Sequence, residues 1–192
     1  MKLNRLHGLL LALPLAVLAA CAKPPAPPST AVAAFVQQPQ ASVLDLMAGP
    51  VDAAADALWD AVGTESTAKG PVDKIPQTDA DWAKLRMHAV MLAEMGNLLM
   101  IEGRVVARPG QSLENPPGEG DLTPEQSLAE INANRAAFNG FAKVMQDTAV
   151  TSIKAIDARN VDALLEAGGA LDEACETCHT RFWYPKATAP PK

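Results

Sequence analysis

Residues 164–182 read LLEAGGALDEACETCHTRF, a stretch whose pattern predicts both a helix and a chemical site. Its apolar and small residues recur at three- and four-residue steps, which predicts an amphipathic helix with Asn160 as its N-cap. The predicted core-facing stripe consists of Leu164, Gly168, Leu171, Cys175, Cys178 and Phe182. The last turns of this helix therefore present two cysteines to the protein interior, and His179 follows directly after them.

The spacing C-x-x-C-H is typical of covalent c-type haem attachment. Two thiols at this spacing form thioethers with the vinyl groups on one edge of the ring, and the next imidazole reaches the iron. Cys175 and Cys178 are therefore the predicted haem thioethers, and His179 is the predicted proximal iron ligand. A redox dithiol, a disulfide and half of a zinc site are the alternatives.

The surroundings of the motif weigh against these alternatives. A thioredoxin-like pair stands at the start of a helix in a βαβ unit, whereas this motif ends a helix and has no strand pattern nearby. A zinc site needs further ligands, but the remaining cysteine is Cys21. If the N-terminal segment is removed, the remaining histidine is His88. The sequence therefore indicates haem.

The N-terminal residues predict export and lipidation. Two basic residues precede an apolar run at residues 8–19, which is short for a membrane span and suits a signal peptide. The sequence LAAC at residues 18–21 resembles a bacterial lipobox, which predicts acylation of Cys21. An ordinary cleavage site before a cysteine is the alternative. Ala22, directly after the cysteine, favours the outer membrane.

The predicted domain organisation has four parts. Residues 1–20 are the lipoprotein signal peptide, and residues 21–40 contain the acylated cysteine and a Pro-rich tether that extends by ~3 Å per residue. Residues 41–184 form the helical domain, and residues 185–192 form a flexible Pro- and Ala-rich tail. Together these parts predict a periplasmic protein that is held at a membrane by its lipid.

Composition limits the classes of function. After removal of Lys2 and Arg5 with the signal peptide, 14 basic residues remain against 22 acidic ones, a net charge of −8. This charge disfavours nucleic-acid binding and suits a partner protein with a basic patch. No Ser/His/Asp set, paired acids or phosphate loop is evident, so the sequence predicts no enzyme. Abundant alanine and few aromatic residues predict an all-α fold.

Hydrophobic periodicity predicts four helices, named A to D in chain order. They are A at residues 41–62, B at residues 79–102, C from Thr123 to Arg159, and D after the N-cap Asn160. Gly49-Pro50 predicts a kink in helix A, and a break in helix C is predicted near Asn139-Gly140. The Pro- and Gly-rich connections A–B and B–C are predicted to be loops.

Four helices with C-x-x-C-H near the end of the last one resemble the cytochrome c′ family and its six-coordinate relatives of the cytochrome c556 type. The resemblance covers residues 41–184 and implies an antiparallel four-helix bundle, with haem at the end where the last helix finishes. The family commonly has a cation four places after the histidine, where this chain has Trp183. Arg181 is then the nearest cation and the predicted propionate contact. The resemblance also allows a homodimer through helices A and B.

The family resemblance places a residue of the first helix on the other face of the iron. A leucine there leaves the iron open to NO or CO, whereas a methionine fills the position and suits electron transfer. This chain has Met47 in that place, ~9 Å along helix A from its start. Met95 and Met100 are the rival candidates from helix B. Met145 is excluded by an axial distance of ~30 Å.

These patterns lead to two hypotheses within haem chemistry. The first is a lipid-tethered periplasmic electron carrier, with His179 as the proximal and Met47 as the distal iron ligand. The alternative is a five-coordinate haem protein that binds or senses NO or CO. His88 is expected at the far end of helix B, exposed or hydrogen-bonded, rather than at the iron.

Overall fold

The computed structural model describes residues 36–114 and 116–185, and these are mostly helical. The elements in chain order are α1 (Val43–Leu46), a π-helical segment (Met47–Val51), α2 (Asp52–Trp59), β1 (Gly63–Thr67), β2 (Gly70–Lys74), α3 (Asp79–Leu99), α4 (Pro124–Ala133), α5 (Arg135–Asp157) and α6 (Val161–Phe182). The predicted signal peptide, Cys21 and the end of the predicted tail lie outside the described residues. Within those residues no helix is both long and apolar enough to span a membrane.

Capping boxes set the starts of three helices. Ser42, Thr78 and Thr123 each accept a hydrogen bond from the backbone N–H three residues on, and the third residue's side chain accepts from the cap's own N–H. These reciprocal bonds satisfy amide donors that the first helical turn leaves unpaired. Thr78 therefore caps α3, and Thr123, the residue at which helix C was predicted to start, caps α4.

The predicted kink in helix A takes the form of a π-helical segment, Met47–Val51, that contains Pro50. Proline has no amide hydrogen and its ring crowds the carbonyl four residues back, so the regular ladder cannot continue through this position. A wider turn accommodates the proline and rejoins regular helix at Asp52. This turn directs Met47 and Val51 toward the interior, where Val51 is buried.

The A–B connection contains a two-stranded hairpin that periodicity did not predict. β1 and β2 pair antiparallel, from Gly63 opposite Lys74 to Thr67 opposite Gly70. Apart from the two partly covered glycines, both strands are exposed. Strand prediction from sequence depends on one apolar face, and this hairpin has none.

The predicted helix C is divided at Asn134, not at Asn139-Gly140. The Asn134 side chain donates hydrogen bonds to the carbonyl and the carboxylate of Glu130, at 3.1 and 2.9 Å. Asparagine competes in this way for backbone groups, which ends α4 and begins α5 one residue later. Gly140 continues in helix. Predicted helix B is also shortened, because α3 ends at Leu99.

The helices pack around a shared apolar core. α3 packs on α5, α5 on α6, and α2 on both α3 and α6. Leu58, Leu92, Leu164 and Leu171 are among the most deeply buried side chains. At the C-terminal end of α6, Ser127 Oγ donates to the Phe182 carbonyl (2.7 Å), and Leu122 N–H donates to the Trp183 carbonyl (2.8 Å). These two bonds hold the end of α6 against the start of α4.

Candidate haem-binding site

An apolar cavity of about 370 Å³ opens between α6, α5 and the π-helical segment. Its volume lies within the roughly 300–1,000 Å³ that is usual for small-molecule and cofactor sites. Cys175, Cys178 and His179 line it from α6, and Met47 lines it from the π-helical segment. The structure thus brings these four predicted site residues to one cavity.

Aromatic rings form much of the cavity wall. Phe182 packs edge-to-face on Phe138 and Phe141, with ring centroids 5.3 and 5.9 Å apart. All three rings line the cavity, together with aliphatic side chains of α1, α3 and α5. Such a wall excludes water and provides flat apolar surface. It therefore suits the faces of a planar, largely apolar ring system such as haem.

Cys175 and Cys178 stand in the last two turns of α6, three residues apart and on one helix face. Both are free thiols and partly buried. Burial, reinforced by the nearby Asp172, raises the pKa of Cys175 to about 11. Burial, reinforced by Cys175, raises the pKa of Cys178 to about 12. Reactive redox dithiols have lowered pKa values at helix N-termini, so this environment argues against that alternative.

His179 is enclosed by aromatic residues that follow α6. Its ring lies edge-to-face with Trp183 and Tyr184, at centroid distances of 5.1 and 5.9 Å. The Tyr184 hydroxyl donates a 2.6 Å hydrogen bond to Glu176. Burial lowers the pKa of His179, against the opposing effect of Glu176. The neutral imidazole that burial favours is the form that binds metals.

The methionines that line the cavity differ in part from those that the sequence suggested as iron ligands. Met47 lines it, whereas Met95 and Met100 pack on the core without reaching its wall. Met145, which the sequence argument excluded, is 5% exposed and does line the cavity. The distance estimate assumed one continuous helix from Thr123, whereas α4 ends at Ala133 and α5 begins at Arg135, so it does not keep Met145 from the cavity wall.

The predicted propionate contact, Arg181, has other partners in the structure. Its guanidinium forms a 2.8 Å ion pair with Glu130 and lies 5.9 Å from the centre of the Phe182 ring. Arg181 does not line the cavity, whereas Trp183 does. The Trp183 indole Nε1 is buried, without a hydrogen-bond partner among the described residues. A buried N–H donor without a partner costs free energy, so a ligand that supplied an acceptor there would be favoured.

Sequence reasoning also missed Trp59, which lines the cavity from α2. Its indole Nε1 donates a 2.9 Å hydrogen bond to the Gly168 carbonyl. A Cβ on Gly168 would lie 3.4 Å from Trp59 Cδ1, but one on Gly169 would have nothing within 4 Å. A Cβ on Gly168 would therefore be in ordinary van der Waals contact with Trp59, and one on Gly169 would have no neighbour.

His88 lies apart from this cavity, on α3, with Nδ1 buried and without a hydrogen-bond partner in the described chain. Among the described residues, no group of three or more His, Cys, Asp or Glu side chains is placed to hold a metal ion. A haem iron needs only one or two protein ligands, because the porphyrin nitrogens supply the others. Searches with this chain find no match among protein-family models, curated proteins or solved structures.

Proposed function

We propose that this chain is a c-type cytochrome that carries single electrons through one covalently bound haem. The observation that carries the proposal is that Cys175, Cys178, His179 and Met47 line one apolar cavity. In this proposal α2, α3, α5 and α6, with the segment before α2, form an antiparallel four-helix bundle of the cytochrome c′ type. The helix contacts and the motif's position at the end of α6 support it.

Each residue of the cavity has a distinct proposed role. Cys175 and Cys178 hold the ring through thioethers, and His179 binds the iron as a neutral imidazole. When bound, haem supplies a metal centre that accepts or releases one electron. Phe138, Phe141 and Phe182 exclude water from the site, which raises the cost of the more highly charged oxidation state. Trp183 contributes to the wall of the cavity.

Met47 is the proposed distal ligand. It lies in the cavity wall, and its thioether is a soft ligand that favours ferrous iron and so raises the reduction potential. If no methionine binds, the site is five-coordinate, and the protein binds NO or CO. Met145 is a second methionine in the same wall. It is therefore the matched residue against which substitutions of Met47 are compared.

The proposed location is the periplasmic face of the outer membrane, with Cys21 acylated. Labelled palmitate should be incorporated into the exported full chain, and Cys21→Ala should abolish incorporation and release the protein from membranes. Unchanged labelling and membrane association of this variant would contradict the lipid anchor. The proposed redox partner has a basic patch, because the chain is acidic overall, with a net charge of −6.

The test of the cofactor is export of the full chain in a host that matures c-type cytochromes. We expect a Soret band that resists acid-acetone extraction, and its loss in the Cys175→Ala, Cys178→Ala double variant. His179→Ala should keep the thioethers but change the iron spectrum. Reduced wild-type protein should be low-spin and slow to bind CO, whereas immediate CO binding would favour the gas-binding alternative. Purified protein without covalent haem would overturn the proposal.

A further inference from the structure

A second, shallower cavity of about 300 Å³ lies on the surface between α2 and α6. Its α6 side consists of Leu165, Gly168, Gly169 and Asp172, and its other side consists of Leu58, Trp59 and Val62. We call this cavity the α2/α6 groove. On α6, its Gly168 stands two turns before Cys175 and on the same side of the helix, because positions seven apart share a face.

Trp59 forms part of both cavities. It lines the cavity that holds Cys175 and Cys178, and it also lines the α2/α6 groove. The hydrogen bond from its indole to the Gly168 carbonyl fixes the ring in this position. A molecule that sits in the groove is therefore separated from the proposed haem site by the Trp59 side chain.

The centre of the groove is apolar and partly exposed. Trp59 is 37% exposed, and Leu165 is 55% exposed although it stands one turn from the buried Gly168. Large apolar side chains that are exposed together typically mark sites of protein association. Apolar side chains at the centre with charged ones around them are the usual anatomy of a protein interface.

Asp172 lines the groove, and the two helices that border it are acidic. Outside these helices, Lys74 pairs with Asp60, which directly follows Trp59 (Nζ–Oδ1 3.6 Å). α2 and α6 carry these exposed acids: Asp52, Asp56, Asp162, Glu166, Asp172, Glu173 and Glu176. The one lysine or arginine on these two helices is Arg181, which pairs with Glu130. None of the seven carboxylates forms an ion pair within the described chain. Asp56 and Asp172 stand one turn from Trp59 and Gly168 respectively, so they border the apolar centre.

We infer that the α2/α6 groove is the docking surface for a redox partner protein that presents an apolar centre within a basic rim. Charge complementarity favours this occupant, because a second copy of the chain would bring acids against acids and an anionic membrane would be repelled. The inference rests on the proposed electron-carrier function and specifies its partner and its contact surface. Docking here places the partner one side chain from the proposed haem.

Binding to a strongly basic class I cytochrome c provides the test, with haem-loaded full chain and isothermal titration calorimetry at low and high salt. We expect Asp56→Asn with Asp172→Asn to weaken binding about tenfold at low salt and much less at high salt. The matched control is Glu94→Gln with Glu102→Gln, which makes the same charge change on exposed acids in and after α3. It should change the affinity less than about twofold. Equal losses in the two double variants would overturn the assignment.

The apolar centre is tested separately with Leu165→Ser, which changes no charge. We expect it to weaken binding about fivefold at both salt concentrations, because it removes apolar contact area. Val144→Ser is the control, since Val144 is 49% exposed on α5, and it should leave the affinity unchanged. Equal effects of the two serine variants would overturn the docking surface.

Two further measurements distinguish partner docking from self-association and from a chain that carries no haem. If sedimentation equilibrium shows a dimer that Leu165→Ser dissociates, the groove holds a second copy and the docking surface is refuted. The absorption spectrum of each preparation reports bound haem independently of the calorimetry. A chain without haem would overturn the electron-carrier function, whereas a haem-loaded chain whose binding ignores both groove variants would overturn only the docking surface.

Discussion

The indole Nε1 of Trp59 donates a 2.9 Å hydrogen bond to the carbonyl oxygen of Gly168, 109 residues away in the sequence. This contact joins the end of α2 to the middle of α6 beside the cavity. A Cβ at Gly168 would lie 3.4 Å from Trp59 Cδ1, an ordinary van der Waals contact, so the hydrogen bond itself joins the two helices here. The position of α6, and with it that of the C-x-x-C-H motif, is therefore coupled to the first helical segment.

Trp59→Phe should lower the free energy of unfolding by about 1 kcal/mol, because it keeps an aromatic ring but removes the hydrogen bond. Urea denaturation followed by circular dichroism measures this change. Trp82→Phe is the control, since the Trp82 indole N–H has no hydrogen-bond partner in the described part of the chain. A loss no larger than that of the control would show that the bond contributes nothing to stability.

Gly96→Ala should destabilise the protein by about 1–3 kcal/mol, because α3 and α5 are in backbone contact at this point. A Cβ on Gly96 would lie 2.9 Å from Gln146 Cβ and 3.0 Å from the Ala142 carbonyl oxygen. Gly169→Ala has nothing within 4 Å and should stabilise α6 by about 1 kcal/mol through helix propensity alone. Thermal denaturation measures both variants, and melting temperatures that shift in the same direction would contradict the difference in packing between the two glycines.

Met47→Leu should convert reduced protein from a low-spin to a high-spin spectrum, allow rapid CO binding and lower the reduction potential. Leucine is close to methionine in volume, so folding should change little. Met145→Leu replaces the other methionine of the cavity wall and should leave the spectrum low-spin. If the two variants exchange these outcomes, Met145 is the ligand, and if neither changes the spectrum, no methionine of the wall binds iron.

Asp45→Asn should reduce stability at neutral pH but not in strong acid. Hydrogen bonds from Ser42, followed by Arg108, hold the pKa of Asp45 below its ordinary value of 3.8. Ionised Asp45 therefore stabilises the folded state above pH 3.8, and this contribution is lost as the pH falls through the lowered folded pKa. Urea midpoints of wild type and variant should converge in acid, and midpoints that stay equally far apart would refute the linkage. Asp56→Asn, an exposed acid without an ion pair in the described chain, is the control.

Local signals in the sequence predicted the helices and their starts well. The three capping boxes lie within four residues of chain each, and amphipathic periodicity needs only the helix itself, so both can be recognised without tertiary contacts. The hairpin after α2 and the break at Asn134 gave no such signal. The hairpin has no apolar face. Asn134 ends a helix because its side chain binds Glu130, and the sequence does not distinguish it from asparagines that continue in a helix.

The part of the candidate site that lies on α6 was predicted, because it too depends only on interactions within a few residues. Cys175, Cys178 and His179 belong to one helical turn and its neighbour, so their common face follows from helix geometry. The place of Met145 in the wall was missed, because it depends on where α5 begins and how it packs. Trp59 was not predicted as a wall residue for this reason either.

The sequence by itself determined the helices, most of their caps and the presentation of two thiols and an imidazole on one face of α6, since all of these arise from interactions within a few residues. Only the tertiary structure decided which methionines line the cavity, that Trp59 lies on Gly168, and that Trp183 rather than Arg181 reaches the wall. These outcomes depend on how side chains from distant segments fill one space, and the close packing of a core couples all of them at once.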